Sequence, residues 1–260
     1  MINIDLSGRT YVVMGVANKR SIAWGIARAL SKAGARLIFT YQGERLEKNV
    51  KELAATLDRN DSLILPCDVT SDEQIKETFQ VIQEEVGEIH GIAHCIAFAN
   101  RDEIVGEYLN VTRDGFLLAH NISAYSLTAV VKEARPILAE GASIVTMTYL
   151  GGERVVKNYN VMGVAKAALD ASVKYLANDL GGEGVRVNAI SAGPIRTLAA
   201  KGVGGFNNVL KEMETKAPLK RTVTQEEVGD TALFLMSDLS RGITGEIIHV
   251  DGGYNKIGLM

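Results

Sequence analysis

The segment Y-L-G-G-E-R-V-V-K-N-Y-N-V-M-G-V-A-K, Tyr149 to Lys166, joins two stretches of different period. Ahead of it, Ser143-Ile144-Val145-Thr146-Met147-Thr148 reads as a buried strand. Behind it, Met162, Leu169, Val173, Leu176 and Leu180 recur at steps of three, four and seven, the period of a helix with one buried stripe. Tyr159 and Lys166 stand seven positions apart, which at about 100° per residue returns nearly to the same face. Val173 and Leu180 continue that row, so Lys166 lies on the inward side of a helix expected to start near Lys157. An ammonium there is costly unless an anionic or hydroxylic group meets it. The plain alternative is a lysine that snorkels to solvent.

The same alternation extends in both directions. Thr10–Gly15 is a short apolar strand ending in glycine, and Ser21–Ala33 is helical with Ser21 as N-cap. Arg36–Tyr41 is strand-like and leads to a helix over Glu44–Leu57. The strand Ser62–Cys67 precedes a helix opened by Ser71 and Gln74 in capping-box fashion. Gly91–Ala97 is the next strand and Arg113–Glu133 a long helix. Towards the end, Val185–Ile190 is a strand, Glu226–Ser237 a helix and Ile247–Val250 a final strand. Strands and helices alternating from end to end mean an α/β fold, a parallel sheet covered on both faces with right-handed crossovers. No repeat or composition break divides residues 1–260, so one domain is expected. The stretch from about Ile195 to Thr215 fits least well; with Lys201-Gly202-Val203-Gly204-Gly205 inside it, it reads as a mobile loop that closes over substrate.

Composition narrows the function. With 260 residues and 47% hydrophobic content, the chain can bury a large core. A net charge of -3 without long blocks of like charge argues against nucleic acid or an anionic membrane as partner. No apolar run has the length of a membrane span, and the start lacks the basic region of a signal peptide. Cys67 and Cys95 lie in apolar strand-like segments and read as buried small hydrophobes, which fits a reducing cytoplasm. The four histidines lack metal-ligand spacing, and no G-x-S-x-G, Walker A or C-x-x-C motif occurs. Metal-dependent and serine-hydrolase chemistry therefore have no support.

In an open parallel sheet, ligands bind beyond the carboxyl ends of the strands where strand order reverses. Gly15 ends the first strand, and the turn to Ser21 offers a close backbone approach, a helix N-terminus and a hydroxyl to a phosphate. The G-x-G-x-x-G pattern is incomplete here, since only one glycine is present. At the end of the second strand Gln42 suits a ribose hydroxyl, while Arg45 nearby tolerates a phosphate, so NADH is favoured over NADPH. Asp68-Val69 suits an adenine: a carboxylate for the amine, a branched side chain for the ring. Tyr159 with Lys166 is the catalytic candidate. A phenol is a poor acid at neutral pH, and a neighbouring ammonium favours its ionised form. Such a pair stabilises an oxyanion developing on a carbonyl, and the lysine can hold a nicotinamide ribose.

With these pieces together, the chain resembles a short-chain dehydrogenase/reductase of the divergent branch, the bacterial type I enoyl-[acyl-carrier-protein] reductases. The resemblance rests on G-V-A-N-K-R-S-I-A-W-G (Gly15–Gly25), Asp68-Val69, C-I-A-F-A (Cys95–Ala99), Tyr149, Y-N-V-M-G-V-A-K (Tyr159–Lys166), S-A-G-P-I-R-T (Ser191–Thr197) and I-T-G-E-I-I-H-V-D-G-G (Ile243–Gly253). Ordinary members of the superfamily carry three residues between tyrosine and lysine; here there are six.

The resemblance implies a Rossmann-type, seven-stranded doubly wound sheet, a homotetramer and the last reduction of fatty-acid elongation, on an enoyl thioester carried by acyl carrier protein. It assigns Tyr159 to the enolate oxygen, Lys166 to the ribose and Tyr149 to the acyl pocket. Gly15, Ser21, Ile22, Gln42, Asp68, Val69, Ile96 and Ile195 fall on cofactor-contact positions and Ala99 on a substrate-contact position. Thr197 to about Phe206 matches a closing loop. A ketone or alcohol dehydrogenase of the same superfamily, and a dinucleotide-sensing protein without catalysis, are the competing readings. The long spacing and the missing glycines stand against the first, the intact Tyr159 and Lys166 against the second.

Overall fold

Along the first strand Tyr11 and Val13 pack to one side and Val12 and Met14 to the other, all four buried. A strand with both faces apolar belongs in the middle of a covered sheet, and that is where the computed structural model places it. The structure describes residues 4–59, 61–197 and 205–258. Seven strands form one parallel sheet in the order β3-β2-β1-β4-β5-β6-β7. They are β1 Thr10–Met14, β2 Arg36–Tyr41, β3 Leu63–Pro66, β4 Ile89–His94, β5 Leu138–Thr148, β6 Arg186–Ala192 and β7 Ile247–Val250.

Helices α1 (Ile22–Lys32), α2 (Glu44–Ala54) and α8 (Gln225–Leu235) cover the face of Tyr11 and Val13. The opposite face carries α3 (Asp72–Glu85), α5 (Ser126–Ala134) and α6 (Asn160–Gly181). One crossover departs from the expected hand. The step from β1 to β2 runs one way along the sheet through α1, and the step from β6 to β7 runs the other way through α8 on the same face. The two are therefore of opposite hand, and the last βαβ unit is the exception to the right-handed rule. It is held by intimate packing: a Cβ on Gly229 of α8 would sit 2.6 Å from Gly25 O of α1, and a Cβ on Gly25 would sit 2.4 Å from Gln225 O.

Three local expectations change. The helix expected over 113–133 is α4 (Arg113–His120), a π-helical turn (Asn121–Tyr125) and α5. The wider turn accompanies a bond from Ser126 Oγ to Ile122 O at 2.6 Å, and Ser126 also meets buried His94 at 2.9 Å. In the 195–215 stretch, residues 198–204 lie outside the described ones, but 206–216 is a helix, α7 (Phe206–Lys216), not a loop. Leu210 and Met213 are its buried residues, and the preceding glycines masked that stripe in the sequence. At α3 the Ser71 hydroxyl accepts from Gln74 N–H, but the Gln74 side chain accepts from Asp68 N–H, so the box is half formed. A complete capping box stands instead at Thr224 and Glu227.

Candidate active site

Where strand order reverses, the carboxyl ends of β1 and β4 open a crevice. Gly15 leaves β1 at φ +94°, and a Cβ there would lie 2.1 Å from Cys95 O. Only glycine lets the two strand ends stay so close. The turn beyond is held by Ser21, whose Oγ accepts from the amides of Ala17 and Asn18 at 3.0 and 3.1 Å. Ser21 occupies the N-cap position, yet its side chain makes no cap bond; it braces the turn and keeps its own proton to donate. The first helical bonds run from Trp24 and Gly25 to Ser21 O. The amides of Ile22 and Ala23 thus stand ahead of the ladder, at the positive end of α1.

At the ends of β2 and β3 the structure joins two residues the sequence could only place separately. Gln42 Nε2 donates to Asp68 Oδ2 at 2.8 Å, and Asp68 Oδ1 accepts from the Thr70 amide and hydroxyl at 2.9 and 2.7 Å. Burial pushes the Asp68 carboxyl up, but the bonds from Thr70 and Gln42 outweigh it and hold the group below its ordinary range. Val69 is buried and Ile96 half-buried against the core. These residues, with Gly15 and Ser21, form the open edge of the crevice.

The enclosed part is a cavity of about 430 Å³ that brings together Ile22, Ala99, Tyr149, Tyr159, Lys166 and Ile195. Tyr149 follows β5 directly, and a short 3₁₀ turn, Leu150–Gly152, carries the chain away. Tyr159 is the N-cap residue of α6 rather than a residue within it, because Asn158 adopts a left-handed φ of 60° just before. Asparagine tolerates that region better than most residues. The Tyr149 and Tyr159 rings meet edge to face at 5.0 Å. Lys166 is only 4% exposed, and its Nζ donates to Met147 O at 2.7 Å. The inward reading of the lysine therefore holds, with a backbone carbonyl as first partner and two ammonium donors to spare.

Electrostatics correct one expectation. Lys166 does not draw down the Tyr159 phenol; burial, with Tyr149 and Asp170 adding, pushes it well above its usual range. Tyr159 is accordingly a protonated hydrogen-bond donor. Burial likewise pushes Tyr149 up to about 12. The lysine is pushed down to about 8 by burial, opposed by Asp170 and Cys95. His94, behind the lysine, is driven down to about 3 by burial and by Lys166, so it is neutral and bonded to Thr146 and Ser126.

Sequence reasoning missed Phe98 and Met162, and also Phe206 and Val209 of α7, all of which line the cavity. The last two were findable from helical spacing with Leu210 and Met213. A larger groove of about 680 Å³ runs along the outside of α1, lined by Lys19, Arg20, Arg28 and Arg196. It contains neither tyrosine nor the lysine, so volume alone does not locate the chemistry. Among the described residues no group of His, Cys, Asp and Glu could hold a metal ion.

A dinucleotide fits these residues. The glycine at Gly15 and the free amides of α1 suit a pyrophosphate, Gln42 and Asp68 a ribose and an adenine, and the spare donors of Lys166 a second ribose. Fold and site together define a dinucleotide-dependent oxidoreductase of the short-chain class. Residues 15–255 match the family described as Enoyl-(Acyl carrier protein) reductase. The NADH-dependent enoyl-[acyl-carrier-protein] reductase FabI of Bacillus subtilis is 74% identical over 254 residues, 98% of either chain. The NADPH-dependent FabI of Staphylococcus aureus is 57% identical, covering 98% of this chain and 99% of its own. A crystal structure of the Bacillus cereus enoyl-acyl carrier protein reductase with NADP+ and indole naphthyridinone superposes with a TM-score of 0.97 at 70% identity, covering 98% of this chain and all of that one. The chain belongs to the enoyl-[acyl-carrier-protein] reductase family.

Proposed function

We propose that the chain reduces the trans-2 double bond of enoyl thioesters on acyl carrier protein, with NADH as favoured reductant and NADPH also admissible. The observation that carries the reading is the shared cavity: a protonated Tyr159 and a buried Lys166 in one apolar pocket at the strand-order reversal. When bound, the nicotinamide would supply hydride to C3 of the substrate, and a proton drawn from solvent would complete the reduction at C2. The Tyr159 phenol donates to the thioester oxygen as negative charge builds there, an interaction strongest in the transition state. Lys166 would hold the ribose hydroxyls through its spare ammonium donors, with Met147 O fixing its reach. Tyr149, packed on Tyr159, orients that ring and walls the acyl pocket. Ala99, Met162 and Val209 exclude water around the chain. Gln42 and Asp68 favour NADH, because a 2′-phosphate would face the Asp68 carboxylate.

The chain acts as one catalytic unit and assembles as a homotetramer in the cytoplasm. Supporting the assembly, Leu117 of α4, Tyr125 of the π turn and Tyr175 of α6 are exposed large apolar side chains on neighbouring helices, a combination suited to a subunit interface. No helix among the described residues is long and apolar enough to cross a membrane. The deciding experiment compares crotonyl and acetoacetyl thioesters with NADH. Oxidation of NADH with crotonyl substrate alone supports the reading; oxidation with acetoacetyl substrate alone makes the protein a ketoacyl reductase. Light scattering on the purified chain tests the tetramer.

A further inference from the structure

Asp170 lies one helical turn beyond Lys166 on the buried face of α6 and is only 6% exposed. Residues four apart on a helix have Cβ atoms about 6 Å from each other, so carboxylate and ammonium share one buried neighbourhood. Asp170 Oδ1 is fully buried with no hydrogen-bond partner. Burial pushes the Asp170 carboxyl above its ordinary range; Thr148 Oγ1, also buried and outside hydrogen-bonding geometry, and the Lys166 ammonium work against that rise and favour the ionised form. Gly152 closes over the group: a Cβ there would lie 2.7 Å from Asp170 Oδ2 and 3.1 Å from the Lys166 carbonyl carbon. An unpaired buried carboxylate is expensive, and a compensating charge nearby is the usual reason one persists.

We propose that Asp170 is a positioning residue for Lys166. Its carboxylate holds the buried amine in the protonated state in which it can grip the ribose hydroxyls, a role that rests on the reading of Lys166 given above. The groups around the pair support this assignment. From the end of β4, His94 is neutral and the Cys95 thiol is pushed up by burial to about 12, so neither carries a compensating charge. Tyr159 and Tyr149 are protonated phenols on the remaining side. Glu153 and Lys174 act on Asp170 from the rim with opposite signs. Asp170 is thus the one buried carboxyl group beside the lysine among the described residues.

The test is the pH dependence of NADH binding, followed by nucleotide fluorescence between about pH 6 and 9.5, in wild type, Asp170→Asn and Asp170→Glu. Wild-type affinity should break near pH 8, where Lys166 loses its proton. In Asp170→Asn the break should fall by about one pH unit or more, leaving binding about fivefold weaker or more at pH 8 and nearly unchanged at pH 6. Asp170→Glu should restore the wild-type break. Should Asp170→Asn not fold, Thr148→Val serves in its place, with a smaller shift in the same direction. An unshifted break, or a uniform loss at every pH, overturns the proposal and makes Asp170 a packing residue. A wild-type affinity that does not vary with pH removes the ribose role of Lys166, and the proposal with it. The reduction of crotonyl thioester tests the overall function separately.

Discussion

The rings of Tyr149 and Tyr159 meet with centroids 5.0 Å apart and planes inclined at 71°. Gly151 makes the contact possible, since a Cβ there would lie 2.4 Å from Tyr159 Cδ1 and 3.5 Å from Tyr149 Cδ1. Gly151→Ala should therefore displace the phenol rather than unfold the chain. We expect turnover to fall by about 10- to 100-fold with little change in NADH affinity. Steady-state kinetics beside a binding titration would show it; parallel losses in both would mean a wider rearrangement.

Tyr159→Phe removes the donor to the developing oxyanion and leaves the ring in place. Loss of one such donor costs about 10²–10³ in turnover. NADH should bind within about twofold of wild type, since the phenol serves the acyl oxygen in this mechanism. A variant that binds NADH as weakly as it turns over substrate would make Tyr159 structural.

Lys166 carries a stability signature as well. Its amine falls from 10.5 to about 8 on burial. Between those values the unfolded chain holds more protons at this residue than the folded one, so stability rises with pH across that window. Lys166→Met abolishes the effect. Urea unfolding of wild type and variant should diverge accordingly: wild type gains about 2 kcal/mol relative to Lys166→Met between about pH 7.5 and 9.5. A constant difference would show that the amine keeps its ordinary affinity for protons. The same variant should bind NADH more weakly.

Gln42 is the natural position to alter the choice of reductant. Gln42→Arg places a guanidinium beside Asp68 and offers a 2′-phosphate a cation. The ratio of kcat/KM for NADPH over NADH should rise by about tenfold, or about 1.4 kcal/mol. An unchanged ratio would mean that the Gln42–Asp68 corner does not face the adenosine ribose.

How much of this was readable in the chain depends on the range of the interaction. The βα alternation and the inward Lys166 are consequences of period, and period is local; both stand in the structure as read. Gly15 and Ser21 were also legible as residues, but the role of Ser21 was not. Whether its hydroxyl caps α1 or braces the turn depends on where the amides of Ala17 and Asn18 point. The same holds at 206–216, where a glycine-rich approach hid the helical stripe of α7.

By itself the sequence determined an α/β sheet with a tyrosine and a lysine at one strand end, because side-chain periodicity and glycine placement act over a few residues. Only the tertiary structure decided the protonation of those groups and the hand of the last crossover. It also decided the meeting of Gln42 with Asp68 and of Lys166 with Met147 O. A pKa depends on how much water surrounding elements exclude, and those elements come from β4, β5 and α6 together. The sequence suggests a tyrosine acidified by its lysine; in the fold burial, with Tyr149 and Asp170 adding, pushes the Tyr159 phenol up instead.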